Sequence, residues 1–319
     1  MEVVREIDNF TNSEGSLFLA LGNFDGVHRG HQRLIGDLVK KARANHGIAA
    51  AFIFEPHPAM VLNPSRAPKL LVTAERKAEL MNKLGLDKLI YNTFDLAISQ
   101  CSPEEFVKSI LVERLKIREA FVGFNYSFGH KGSGTPQLLK ELGKKYDFQV
   151  NIIPPVEIKG QVVSSTIIRQ ALDAGDMELA REMLGYYPMI EGKVIEGEKR
   201  GATIGFPTAN LGIGAELNIP VKGVYAALAV LEGENFGAAV NIGSKPTFHQ
   251  EYPVSVEAHL IDFNRQVYDQ DLRLFFLQKI RDEKRFSSVD ELIKQIGLDR
   301  KQAGEIYESL ESRGKIDII

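Results

Sequence analysis

The chain has 319 residues, 44% of them hydrophobic and 25% charged, with a formal net charge of −3. That length favours two domains over one, the composition supports two separate cores, and the acidic balance argues against a nucleic-acid partner. A lone cysteine, Cys101, leaves no disulfide framework and no Cys-based zinc site, and reads as a half-buried helix-edge residue.

The N-terminal MEVVREIDNF carries charges where a signal peptide needs an apolar run. No stretch approaches the ~18 apolar residues of a membrane span. The expected setting is cytoplasmic, with no membrane partner. The first half alternates continuous apolar runs with helical patterns. Residues 17–21 (LFLAL), 49–54 (AAAFIF), 89–94 (LIYNTF), 120–124 (AFVGF) and 150–153 (VNII) are predicted strands buried on both faces. Ser102-Pro-Glu-Glu105 has the form of a capping box with proline at the first helical position. Such alternation predicts a parallel sheet of the doubly wound type, with ligands beyond the carboxyl ends of the strands.

Past residue 186 the pattern changes. Short segments at 190–196, 224–231, 236–242, 254–263 and 272–280, separated by glycine-bearing turns, predict a β-barrel or sandwich. Ser288-Val-Asp-Glu291 predicts a second capping box ahead of a closing helix. The expected division is therefore 1–185, an α/β domain, and 186–319, an all-β domain followed by a helix.

GNFDGVHRGH follows the first predicted strand directly. His28 and His31 admit three readings: a packing pair, a metal pair, or donors to a phosphate. A metal pair needs further ligands, and no HExxH or cysteine cluster supplies them. In the phosphate reading Gly22, Gly26 and Gly30 let backbone amides approach an anion, and the following helix offers its N-terminus. His57, in the proline-flanked FEPHP, follows the second strand and could reach the same phosphates. Downstream, 121–129 (FVGFNYSFG) and 164–169 (SSTIIR) each follow another strand.

This trio resembles the adenylyltransferase half of the prokaryotic bifunctional riboflavin kinase/FAD synthetases, members of the HxGH nucleotidyltransferase superfamily with a Rossmann-like fold. The resemblance implies that Phe24, Asp25, Ser165, Thr166 and Arg169 join the glycines and His57 around ATP, and that Asn125 helps hold the flavin. It implies that His28 and His31 steady the triphosphate while its α-phosphate is attacked.

In the second half, 192–197 has Walker A spacing, but Glu198 stands where the lysine should be, so a P-loop is rejected. Phe206-Pro-Thr-Ala-Asn210 presents Thr208 and Asn210, neutral oxygen donors suited to a magnesium–phosphate group. The series continues with Gly223-Val-Tyr, 241–247 (NIGSKPT), 256–263 (VEAHLIDF) and 279–286 (KIRDEKRF). It resembles the family's riboflavin kinase barrel. That likeness implies Glu257 as catalytic base, Thr208 and Asn210 near Mg2+, and Gly197, Gly201, Gly205 and Arg281 at the kinase nucleotide. Where members often carry DFxxxLYG and LGRPY, this chain has 262–269 (DFNRQVYD) and 185–188 (GYYP).

The expectation is riboflavin to FMN at the barrel, then FMN to FAD in the N-terminal domain, with ATP as substrate at both sites and pyrophosphate released at the second. The alternatives are a monofunctional FAD synthetase whose barrel only binds flavin, a nucleotidyltransferase acting on another phosphorylated substrate, and a non-catalytic flavin sensor. Nothing in the sequence specifies an oligomeric state.

Overall fold

The structure is a computed structural model describing residues 1–11, 15–197, 201, 204–244 and 254–312. It divides into two compact units, Met1–Ser165 and Thr166–Ile319.

The first unit contains β1 (Glu2–Arg5), β2 (Leu17–Leu21), α1 (Arg29–Ala44), β3 (Ile48–Glu55), α2 (Pro58–Leu62), α3 (Ala74–Lys83), β4 (Lys88–Thr93) and α4 (Leu96–Gln100). It continues with α5 (Pro103–Glu105), which runs on as a wider π-helical stretch over Phe106–Arg114, then β5 (Ile117–Gly123), α6 (Pro136–Tyr146) and β6 (Gln149–Ile153). A two-residue hairpin, β7 (Glu157–Ile158) with β8 (Gln161–Val162), closes it. Strands β1 to β6 form one wholly parallel sheet in the order β1-β4-β3-β2-β5-β6.

All five predicted strands are present, and the apolar runs of β2 to β5 are covered on both faces, every residue of β2 being buried. Strand β6 departs from that expectation, because as the sheet's edge strand beside β5 it buries only Ile153 and leaves Ile152 36% exposed. The Ser102 box forms in full, with Ser102 N–H on Glu105 Oε2 at 2.8 Å and Glu105 N–H on Ser102 Oγ at 3.2 Å. Strand β1 was not predicted. It is four residues long, and only its pairing with β4, more than eighty residues away in sequence, makes it a strand. The sheet order changes direction between β2 and β5, since β3 and β4 lie to one side and β6 to the other. The loops after β2 and β5 therefore flank a topological switch point, the place where a parallel sheet leaves room for a ligand.

In the second unit come α7 (Ser165–Ala174, from Thr166 onward), α8 (Met177–Leu184), β9 (Met189–Ile195), β10 (Ala209–Gly212), β11 (Gly223–Leu231), β12 (Glu234–Ser244), β13 (Val254–Leu260), β14 (Asp271–Arg281) and α9 (Val289–Glu311). The strands close into an antiparallel barrel, β10-β13-β12-β11-β14-β9, with β9 pairing back onto β10. Two register shifts between β11 and β14 bend the long strands as closure requires. Tyr225, Val240, Ile242, Val256 and Ala258, all at 1% exposure or less, alternate inward. Ala226 and Ala239 face the other way and pack with Ala303 of α9, together with Ile261, Leu277, Ile280 and Ile306.

The second capping box forms by half. Ser288 Oγ accepts from Glu291 N–H at 3.2 Å, but the Glu291 carboxylate reaches past Ser288 to the N–H and Oγ of Ser287. Strand β10, with only four residues, was not predicted.

Candidate active sites

At the end of β2 the chain turns through a run of left-handed backbone. Phe24 has φ 49°, Gly26 φ 76° and Val27 φ 37°. Glycine adopts this conformation freely, whereas a buried β-branched valine does so only under tertiary constraint. The turn delivers His28 to the N-cap of α1, where its Nδ1 accepts from His31 N–H at 3.4 Å. The two imidazoles stack, with centroids 3.6 Å apart and planes 15° from parallel. Phe24, itself buried, meets His31 edge-on at 5.2 Å.

Burial pushes the His28 pKa down to about 4 and holds that of His31 well below the usual imidazole range, with His28 and Lys77 adding to the effect on His31. Both rings are therefore neutral near pH 7. Because His28 Nδ1 is an acceptor, its proton sits on Nε2, free to donate. Stacked rings have parallel planes, so their lone pairs cannot converge on one ion. No group of three or more His, Cys, Asp or Glu able to hold a metal occurs among the described residues. The metal-pair reading fails on both counts.

Other predicted residues support this turn. Asp25 is buried, its Oδ1 accepts from Leu71 N–H at 2.9 Å, and its carbonyl accepts from Ser165 Oγ at 2.9 Å. His57 caps α2 by accepting from Ala59 N–H at 3.2 Å, and its Nε2 lies 3.2 Å from Asn23 Nδ2. Gly22 is hemmed by the ring of Phe24 and Gly30 by that of His28. Asn125 lies exposed in the turn after β5, beside the exposed ring of Phe124. On α7, Ser165 and Arg169 are one helical turn apart, with the exposed Thr166 between them.

The second site stands on the barrel's outer face. Asn210 pairs with Glu257 across β10 and β13, and Glu257 pairs with Asn241 across β13 and β12. Directly opposed residues share a face, so Asn210, Glu257 and Asn241 make a polar row on the side away from the apolar interior. Gly197 lies directly over it: a Cβ there would stand 2.2 Å from Asn210 Nδ2. Gly201 receives Phe206 N–H on its carbonyl at 2.9 Å, and a Cβ on it would lie 2.3 Å from the Phe206 carbonyl. Gly205 takes φ 86° in the same turn. Asn210 is thereby presented next to Glu257, with Thr208 two residues before it in the chain.

Arg281 is engaged within the protein. Its Nε and Nη2 grip the buried Asp299 of α9 at 2.6–3.1 Å, and its Nη1 donates to the Asp282 carbonyl at 2.9 Å. The end of the NIGSKPT motif, 245–247, lies outside the described residues, as do 198–200 and 202–203 in the glycine-rich stretch.

Comparison with known proteins agrees over nearly the whole chain. The family model for FAD synthetase matches residues 11–167 and that for riboflavin kinase matches 184–307. Bifunctional riboflavin kinase/FMN adenylyltransferases from Bacillus subtilis and Escherichia coli K12 are 37% and 34% identical to it. The alignments cover 92% and 96% of this chain, and 93% and 98% of those proteins. The chain belongs to the bifunctional riboflavin kinase/FMN adenylyltransferase family. The crystal structure of a macrolide-efflux protein from Streptococcus pneumoniae also superposes, with a TM-score of 0.85 at 28% identity, covering 94% of this chain and 98% of that one. Among the described residues no helix is long and apolar enough to cross a membrane.

Two residues of this family member were not found from sequence. Lys77 of α3 donates its Nζ to the Asn23 carbonyl at 2.9 Å, inside the turn that carries the histidines. Burial lowers its pKa, while Asp25 and Glu55 work in the opposite direction. Its sequence setting, AERKAEL, is an ordinary amphipathic helix with no signal for a site. Asn241 stood in a quoted motif, but its place beside Glu257 required the strand register.

Proposed function

We propose that the two sites run in sequence, the barrel converting riboflavin to FMN and the N-terminal unit converting FMN to FAD, with ATP consumed at each. The observation that carries this reading is the presence, in one chain, of a neutral histidine pair at a parallel-sheet switch point and of a polar row centred on the Glu257 carboxylate on a kinase-like barrel. The relatives' names and both family models support the same two activities.

In the first reaction the riboflavin 5′-hydroxyl attacks the γ-phosphorus, the Glu257 carboxylate accepts the hydroxyl proton, and ADP leaves. In the second, an FMN phosphate oxygen attacks the α-phosphorus and pyrophosphate departs. His28 Nε2–H and the amides of the glycine turn then donate to the oxygens on which charge develops. No covalent enzyme intermediate is required.

The Thr208 hydroxyl, the Asn210 amide oxygen and the Glu257 carboxylate are hard oxygen donors on adjoining positions. They suit a magnesium ion that keeps several waters and is held chiefly by phosphates. Bound there, the ion would neutralise phosphate charge. We take the functional boundary as 185/186. The helix pair α7–α8 bridges the gap between the two matched ranges, and its first residues carry the Ser165-Thr166-Arg169 group assigned to ATP, Ser165 and Thr166 lying within the first range. We place the enzyme in the cytoplasm.

Incubation of the purified chain with riboflavin, ATP and magnesium, followed by chromatography, should show FMN and then FAD. Conversion of added FMN with riboflavin untouched would establish a monofunctional FAD synthetase. If neither flavin changed, the chain would be a binding protein.

A further inference from the structure

His259 lies two residues beyond Glu257 on β13, in the VEAHLIDF motif, and neither reaction described above uses it. It is 9% exposed on the barrel's outer face, the face that also carries Glu257, because β13 alternates and His259 pairs with Ala239 in the outward row. Its Nδ1 is 2.8 Å from the Pro207 carbonyl. A carbonyl can only accept, so Nδ1 carries the proton and the ring is held as that tautomer. The ring also meets Phe206 edge-on at 5.5 Å. One side chain thus makes a polar and an aromatic contact with the two residues just before Thr208. Beyond them, β10 joins β13 over only two opposed pairs, Ala209 with Ala258 and Asn210 with Glu257. The ladder with β9 adds three pairs at Asn210–Gly212, but neither ladder reaches Thr208 or the turn before it.

We propose that His259 is a positioning residue for the kinase site, tying the Phe206–Pro207 turn to the strand that bears Glu257 so that Thr208 and Asn210 meet the magnesium–ATP phosphates in the right register. This rests on the kinase reading given above. It is distinct from catalysis, since His259 is engaged with protein and Glu257 is held in place by its own ladder with β12. Loosening the turn therefore weakens nucleotide binding more than the chemical step.

His259→Phe keeps a ring against Phe206 and removes the donor. His259→Asn places an amide N–H close to where Nδ1 stood. Steady-state kinetics of riboflavin phosphorylation are measured against magnesium–ATP concentration, with FMN adenylylation by the same full-length preparation as the control for an intact chain. In H259F, loss of a buried hydrogen bond and of the register it holds should raise KM for magnesium–ATP about tenfold, with kcat within about threefold. H259N should bring KM back to within about threefold of wild type, and adenylylation should be unchanged in both. If H259F does not accumulate as folded protein, His259→Ala removes the same donor without asking the site to fit a larger ring.

Unchanged KM in the donor-less variant, or equal loss in H259N and H259F, would overturn the positioning role while leaving the kinase reading intact. Failure of the wild-type chain to phosphorylate riboflavin would remove the kinase reading and this inference with it.

Discussion

The imidazole of His28 lies flat against that of His31, 3.6 Å away, and the same His28 ring caps the helix on which His31 sits. One residue therefore serves both the fold and the proposed chemistry, and substitution can separate the two. Asparagine is a good N-cap and keeps an acceptor near the Nδ1 position, but it has nothing at Nε2. His28→Asn should leave thermal stability within about 1 kcal/mol of wild type while lowering FMN adenylylation ~10²-fold or more. Riboflavin phosphorylation, assayed in the same tube, should be unaffected. Full FAD synthesis from FMN in this variant would remove His28 from the mechanism.

The stacked pair also predicts a pH response. An imidazole in the unfolded chain titrates near 6.5, whereas folded His28 does so at about 4 because burial disfavours its charged form. Between those values the unfolded chain binds a proton that the native ring refuses. Stability should therefore fall as pH falls from 6.5 to 4, by about 3 kcal/mol from His28, and level off below that window. His31 acts in the same direction. Urea unfolding of the full chain at a series of pH values should show this slope, and H28N should reduce it by the His28 share, leaving that of His31.

Glu257→Gln preserves the size and polarity of the outward row on the barrel and removes only the proton acceptor. Phosphorylation of riboflavin should fall by roughly 10²–10⁴-fold, the usual worth of a positioned general base. Conversion of added FMN to FAD should continue at the wild-type rate, so FMN supplied in the medium would restore FAD production. A variant that still phosphorylates riboflavin at the wild-type rate would show that Glu257 is not the base.

Arg281 and Asp299 form a largely buried ion pair between β14 and α9, closed further by Gln295 Nε2 on Asp299 at 3.0 Å. Removing one partner strands the other. Asp299→Ala should destabilise the second unit by about 3 kcal/mol, read as an earlier unfolding transition. If Arg281 is a structural tie, KM for ATP at temperatures where the variant is folded should stay close to wild type. A large rise in KM with unchanged stability would return Arg281 to the nucleotide.

The features legible in the sequence are those decided by near neighbours. The apolar runs of β2 to β5 announce burial on both faces, the Ser102 box is complete within four residues, and the glycine turn with its two histidines is continuous in the chain. The barrel's longer strands were visible for the same reason. Tertiary structure decided what depends on distant partners. Strand β1 exists through β4, Lys77 belongs to the histidine site through a carbonyl 54 residues away, and Arg281 is committed to Asp299 on the closing helix. The row Asn210–Glu257–Asn241 follows from strand register, which a one-residue slip would turn to the opposite face of the barrel. Residue types and local spacing thus determined which chemistry the chain could carry. Which groups share a face, and which charges are already spent on one another, was decided only by packing, because those energies belong to pairs of residues far apart in sequence.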